Sequence, residues 1–413
     1  MSKKLFRLLS ALLAAVMIFS SLPFSASAKQ TGFTSKDFLT CEGNNIYNAI
    51  GEKIRLKGVN LGAWMIFEDW LCPYEEATDH YDVLETLIKR FGTSKAYKLM
   101  NTYMDNFITE KDLDNIKSMG FNCVRVPFWY RNFYYNDSGK KILDANGSWD
   151  FSRLEWIVKK CSERRIYVIL DLHGAPGFQN IAEHCGKAND CRLFDDTQEG
   201  ENFRVMTEQL WKAIAKKFKG NPAVAMYDLL NEPSCDVTGE ELTRRKNNTM
   251  IYTRLYDAVR SVDPKHIITL ECVWTAAALP MPDTMNWTNV VYQLHFYKNT
   301  NILFDLDVIL ARLYLRGVPL MMGEFYPHGN ATWSNFFSVM NLFGYNWMTW
   351  TYKACGHGMW ESDRCLYGSK NGFERAKVKT DSYKEIARKW GTCIRTEKGY
   401  VNTGHIDTVK RYL

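Results

Sequence analysis

The run VAMYDLLNEP, residues 224–233, decides how the rest of the chain is read. From Val224 to Leu230 it is almost continuously apolar and too short for an ordinary helix, the pattern of a parallel strand covered on both faces. It then breaks into Asn231 and Glu232. Amphipathic stretches with helical spacing lie on either side, at Gly200–Phe218 and Thr249–Val262. Working outward, the same rhythm recurs. Strands are predicted at Ile54–Asn60, Cys123–Phe128, Tyr167–Leu172, Val224–Asn231, Ile267–Glu271, Val290–His295, Pro319–Glu324 and Asn346–Trp350. Further helical stretches are Thr109–Met119, Phe151–Arg164, Phe304–Arg316 and Ser382–Trp390. Eight such strands alternating with helices predict an α/β fold of the (β/α)₈ kind, a single TIM barrel with elaborated βα loops. A doubly wound sheet is the alternative, but no GxGxxG follows the first strand. Residues 38–52 read as a strand and turn ahead of the barrel, placed to plug its N-terminal end.

Composition narrows the function classes. The chain has 413 residues, 46% hydrophobic and 24% charged, the balance of a folded globular protein. Its formal charge is +6, but Lys3, Lys4 and Arg7 carry half of that excess. What is left is too diluted for a nucleic-acid footprint. Those three cations, the apolar Leu8–Leu22 and the small residues Ala26-Ser27-Ala28 read as a signal peptide over 1–28. Residues 29–413 are then one secreted catalytic domain, expected as a monomer, with no later run long enough to span a membrane. Eleven cysteines leave at least one free or paired between chains; Cys185 with Cys191, and Cys355 with Cys365, are close enough to staple loops. No HExxH or paired zinc-ligand set is present, and no GxSxG elbow for a serine esterase. Asn136, Asn146, Asn247, Asn286 and Asn330 lie in glycosylation sequons.

The chemistry should sit where strands end, because a barrel's C-terminal strand ends converge on one mouth. Those ends carry Arg125 on the second strand, Asp171-Leu172-His173 on the third and Asn231-Glu232 on the fourth. His295-Phe296-Tyr297 ends the sixth, Gly323-Glu324 the seventh and Trp350 the eighth. A carboxylate closing an apolar run such as Val318–Met322 is badly placed for a solvated charge. Glu232 and Glu324, from opposite sides of one mouth, suit an acid/base and nucleophile pair.

At these positions the sequence resembles glycoside hydrolase family 5. The resemblance is carried by Gly58–Gly62, Arg125–Phe128, Asp171–Gly177, Asn231-Glu232-Pro233, His295–Tyr297, Gly323–Phe325 and Trp347–Lys353. Within the family it is most similar to the exo-β-1,3-glucanase group, through Asn60–Trp64, Glu68, Trp70, His173–Pro176 and Gln179-Asn180. Asp69, where that group has Pro, and the segment Ile181–Cys191 depart from the pattern. The resemblance implies retaining hydrolysis of β-glucan, with Glu232 as general acid/base, Glu324 as nucleophile and Glu68 holding the non-reducing terminal sugar. Arg125 and Tyr297 would keep Glu324 ionised, and burial beside that charge would keep Glu232 protonated. His173 and His295 would orient sugar hydroxyls and Glu232, Asn231 would bond the 2-hydroxyl, and Trp350 would stack on the ring. No cofactor or metal is needed. A β-1,4-endoglucanase or mannanase would use the same chemistry; a catalytically silent carbohydrate-binding protein would have no use for both glutamates.

Overall fold

Eight parallel strands close into a barrel in chain order. A computed structural model describes residues 32–237, 240–355, 365–368 and 374–413; the signal segment 1–28 lies outside them. Three short strands come first, β1 (Leu39–Glu42), β2 (Asn45–Asn48) and β3 (Lys53–Ile54), paired antiparallel. Barrel strand β4 (Lys57–Asn60) follows, then a short β5 (Tyr74–Glu75) outside the barrel. The barrel continues with β6 (Cys123–Trp129), β7 (Tyr167–Gly174), β8 (Val224–Asp228) and β9 (Ile267–Val273). It closes through β10 (Val290–Lys298), β11 (Leu320–Pro327) and β12 (Asn346–Thr349), which pairs back to β4.

All eight predicted strands are present, and one is divided. Within the predicted Ile54–Asn60, Ile54 pairs with Ile46 in the N-terminal sheet and only Lys57–Asn60 joins the barrel. That small sheet is the plug. Leu39 and Ile46 pack with Leu56, Tyr167, Ile169, Met226, Val291, Met321 and Met348, side chains from the early positions of the strands. The Cys41 N–H also donates to Asn289 Oδ1 at 2.7 Å. Hydrophobic closure of this end leaves the opposite one for chemistry.

The helix predicted from Thr249 begins at Glu241; Trp333–Leu342 and Thr403–Lys410 form helices that were not predicted, and so do the adjacent His80–Phe91 and Thr93–Phe107. Each buries one apolar face, Val83, Leu84 and Leu87 on the first and Leu99, Tyr103 and Phe107 on the second. They lie in the long β4–β6 connection, where the strand–helix rhythm is interrupted. The loop staple between Cys185 and Cys191 is not formed. The Cys185 thiol donates instead to backbone carbonyls, Ala182 at 3.0 Å and Asn180 at 3.2 Å. Cys355 and Cys365 are buried on either side of 356–364, which lie outside the described residues. No described helix is long and apolar enough to cross a membrane.

Candidate active site

The site is organised around Arg125. It was expected at a strand end but lies inside β6, third of seven residues, fully buried in the barrel. Its three nitrogens spread over three carboxylates from three strands: Asp228 on β8 at 2.7 Å, Glu324 on β11 at 2.7 Å and Asp171 on β7 at 3.1 Å. They also reach Asn60 Oδ1 at 3.1 Å and Asn231 Oδ1 at 2.9 Å. Burial works against the guanidinium charge, yet the carboxylates outweigh it and hold Arg125 well above its ordinary value. Gly323 matters here: a Cβ on it would meet Gln293 Oε1 at 2.1 Å, displacing the side chain that donates to Asp228 at 2.8 Å.

Glu324 receives one donor on each oxygen, Arg125 Nη1 at 2.7 Å and the Tyr297 hydroxyl at 2.6 Å. Burial, then the charge of Glu324, pushes the phenol well up, so Tyr297 stays a donor. Glu232 sits in the loop after β8 with a left-handed backbone, φ 43°, which L residues adopt at a cost of about 1–2 kcal/mol. Neighbouring groups hold it there. Its N–H donates to Glu271, Asn180 Nδ2 donates to its carbonyl at 3.0 Å, and the next turn is tied by Ser234 N–H to the Gln179 carbonyl at 2.9 Å.

His295 joins the two glutamates. Its Nδ1 lies 2.8 Å from Glu232 Oε1 and 3.7 Å from Glu324 Oε2, while Nε2 lies 2.6 Å from Glu271 Oε2. One carboxylate oxygen each of Glu232 and Glu324 lies within 4.8 Å of the other. Burial alone would strip the imidazole of its proton, but Glu271 and Glu324 foremost push it well above its ordinary value. This reverses the expected state of Glu232. Burial does press its carboxyl upward, but the hydrogen bond from His295 prevails and holds it at about 2. The proton expected on Glu232 therefore rests on His295, one hydrogen bond away. Glu271, wholly buried on β9, is pushed up to about 8, its burial outweighing the attraction of His295.

His173 offers Nδ1 to Asp171 at 2.8 Å and stacks on Trp350, rings 5.5 Å apart and 7° from parallel. Burial lowers it to about 3, so it is a neutral ring at ordinary pH. The Oδ1 of Asn231 is committed to Arg125, which leaves its amide N–H for a ligand. Glu68 is buried, accepts from Trp70 Nε1 at 2.8 Å and keeps Oε1 without a hydrogen-bond partner among the described residues. Burial first, then Glu183 and Glu324, pushes its carboxyl well up.

These groups meet in a cavity of about 240 Å³ lined by Glu68, Trp70, His173, Asn231, Glu232, Tyr297, Glu324 and Trp350, with Glu183, His184, Val273 and Trp274. Every sequence-predicted residue lines it or, like Arg125 and His295, supports those that do. Glu271 was missed although its signal matched that of Glu324, a carboxylate closing the apolar run Ile267–Leu270. Asp228 and the cavity residues Glu183 and His184 had no such signal.

Such a barrel, with facing carboxylates at its C-terminal mouth, has the site architecture of TIM-barrel enzymes. The model named "Cellulase (glycosyl hydrolase family 5)" matches residues 85–356, about two thirds of the chain, and the chain belongs to that family. Among curated relatives, a "Beta-xylosidase" of Phanerodontia chrysosporium is 30% identical over 63% of this chain and 52% of its own length. A "Probable glucan 1,3-beta-glucosidase A" of Aspergillus fumigatus is 27% identical over 63% of this chain and 59% of its own. The match thus spans little more than half of these relatives. Among solved structures, a rutinosidase from Aspergillus niger superposes with TM-score 0.59 at 17% identity, over 75% of this chain and 95% of that one, a likeness of fold.

Proposed function

We propose that the protein is an exported, monomeric retaining β-glycosidase that hydrolyses β-glucan, releasing sugar from the non-reducing ends of β-1,3-linked chains. The observation that carries the reading is the approach of the Glu232 and Glu324 carboxylates to within 4.8 Å. Inverting enzymes need about 6.5–9.5 Å for an intervening water, whereas retaining pairs stand about 5–5.5 Å apart. Glu324, aimed by Arg125 and Tyr297, attacks the anomeric carbon. Glu232 takes a proton from His295 across the 2.8 Å contact and passes it to the departing glycosidic oxygen, which leaves it ionised again. The glycosyl–Glu324 ester cancels one negative charge, and Glu232 then takes a proton from the water that hydrolyses it. Asn231 bonds the 2-hydroxyl, Trp350 and His173 form a flat wall for the ring, and Glu68 with Trp70 closes the cavity over the terminal sugar. The place of Glu68 and Trp70 in the cavity lining supports exo action, and the named glucosidase among the relatives supports β-1,3-glucan.

The test is a product profile on laminarin, carboxymethylcellulose and glucomannan, with the anomer first released read by NMR. Glucose as the β-anomer from laminarin is expected. Release of the α-anomer removes Glu324 as nucleophile, and random shortening of cellulose removes the exo reading.

A further inference from the structure

Two side chains at the rim, His184 and Cys235, are not used by this chemistry but converge on Glu232. His184, in the short helix Glu183–Cys185 after β7, places Nε2 3.4 Å from Glu232 Oε2, the oxygen His295 leaves free. Cys235, in the loop after β8, brings its thiol to the same spot, and the three donor atoms lie within 4.8 Å of one another. The histidine faces them with an electron pair. Asn180 Oδ1 accepts from the Ala182 N–H at 2.9 Å, which fixes its Nδ2 as the atom donating to the Glu232 carbonyl and to His184 Nε2 at 3.2 Å. A nitrogen lone pair, a carboxylate oxygen and a sulfur therefore converge, with the Asn180 N–H donating to the nitrogen. Charge around the thiol is acidic throughout, with Glu232, Asp236 and Glu271 all contributing. Asp236 Oδ1 is buried with no hydrogen-bond partner among the described residues.

From this geometry we infer a binding site for a zinc-like divalent cation at His184, Cys235 and Glu232, through which such ions shut the enzyme off. A nitrogen, sulfur and carboxylate set within reach of tetrahedral coordination suits zinc or cadmium, and offers too few oxygens for calcium or magnesium. The alternative trio of Glu232, His295 and Glu324 is also compact, but both nitrogens of His295 already face carboxylates. On binding, the cation displaces the Asn180 N–H from Nε2, bonds the sulfur and sends the thiol proton to solvent. Glu232 Oε2 becomes a metal ligand and no longer reaches a glycosidic oxygen. The loops are already locked together by Gln179 and Asn180, so little chain ordering opposes binding.

The loss of activity rests on Glu232 being the acid; the binding itself does not. The experiment titrates ZnCl2 into reduced, chelator-treated enzyme, following competition with a chromophoric chelator and, separately, hydrolysis. Wild-type enzyme is expected to bind one zinc that Cys235→Ser does not, at micromolar concentration, with release of a proton and parallel loss of activity restored by EDTA. Cys235→Ser, and Cys235→Ala beside it, should keep zinc-free activity within about twofold and need at least tenfold more zinc for inhibition. Zinc should also shield Cys235 from alkylation, read peptide by peptide. Equal binding by wild type and both variants, with hydrolysis intact, overturns the site and leaves the activity standing. Zinc binding that depends on Cys235 but leaves hydrolysis untouched keeps the site and removes Glu232 from the reaction.

Discussion

Replacing Glu271 by Gln is the sharpest test of where the acid proton is kept. The substitution is isosteric and can still accept the Glu232 N–H, but it puts an amide where a carboxylate faces His295 Nε2 at 2.6 Å. At that separation and an effective dielectric near 20, the lost attraction is about 6 kcal/mol, or about four pH units at about 1.36 kcal/mol each. Glu232 and Glu324 still surround the ring, and less buried charge needs solvating, so a net shift of about one to two units is expected. The sign is definite. In the native chain His295 is raised, and activity survives until that proton leaves at alkaline pH. In the variant the imidazole surrenders it sooner, so the alkaline limb of kcat moves to lower pH. Hydrolysis of a β-glucoside with a poor leaving group, such as methyl or another simple alkyl alcohol, reads the limb. A dinitrophenyl glucoside, whose leaving group needs no proton, is the control and should barely change. Superimposable profiles on the poor leaving group, or equal displacement on both substrates, would show that His295 does not supply Glu232.

Arg125→Lys keeps the charge but offers three donors to five acceptors, so at least two charged hydrogen bonds go, costing about 3–6 kcal/mol in urea unfolding; a loss under about 1 kcal/mol would contradict the clamp. His405 is buried with both nitrogens unpartnered among the described residues and lowered by burial to about 4 from 6.5. Its folded value is depressed, so the stability it confers is complete above pH 6.5 and declines as pH falls toward 4, by at most about 3 kcal/mol. His405→Phe should flatten Tm over that window, whereas an unchanged slope would assign acid lability elsewhere. Ile46→Ala opens a cavity in the plug and should cost about 2–5 kcal/mol while kcat and KM stay as they are; a change in kcat would mean the two ends of the barrel communicate.

The barrel was legible because each parallel strand, covered on both faces, writes itself as an apolar run, and the polar residue that ends the run marks the mouth. Glu232, Glu324, His295 and Tyr297 were found by that mark. The helices at 80–107 were hidden because they interrupt the repeat rather than extend it. Charge states were the least legible. The sequence places Glu232 near Glu324, but only the packing of Glu271 against the far side of His295 decides which group holds the proton. The convergence of Cys235 and His184 was likewise hidden, since 50 residues separate them and the resemblance at Gln179-Asn180 does not say which loops the Asn180 side chain joins.

That joining has a use in engineering. Gln179 donates to the backbone of both His173 and Asn231, and Asn180 to that of Glu232, so two neighbouring connections behave as one cross-braced piece. Transplanting the third-strand connection from a relative to alter sugar preference would unseat the acid unless the fourth-strand connection travelled with it. Libraries that randomise 181–191 while preserving both amides should yield far more working clones than wholesale swaps.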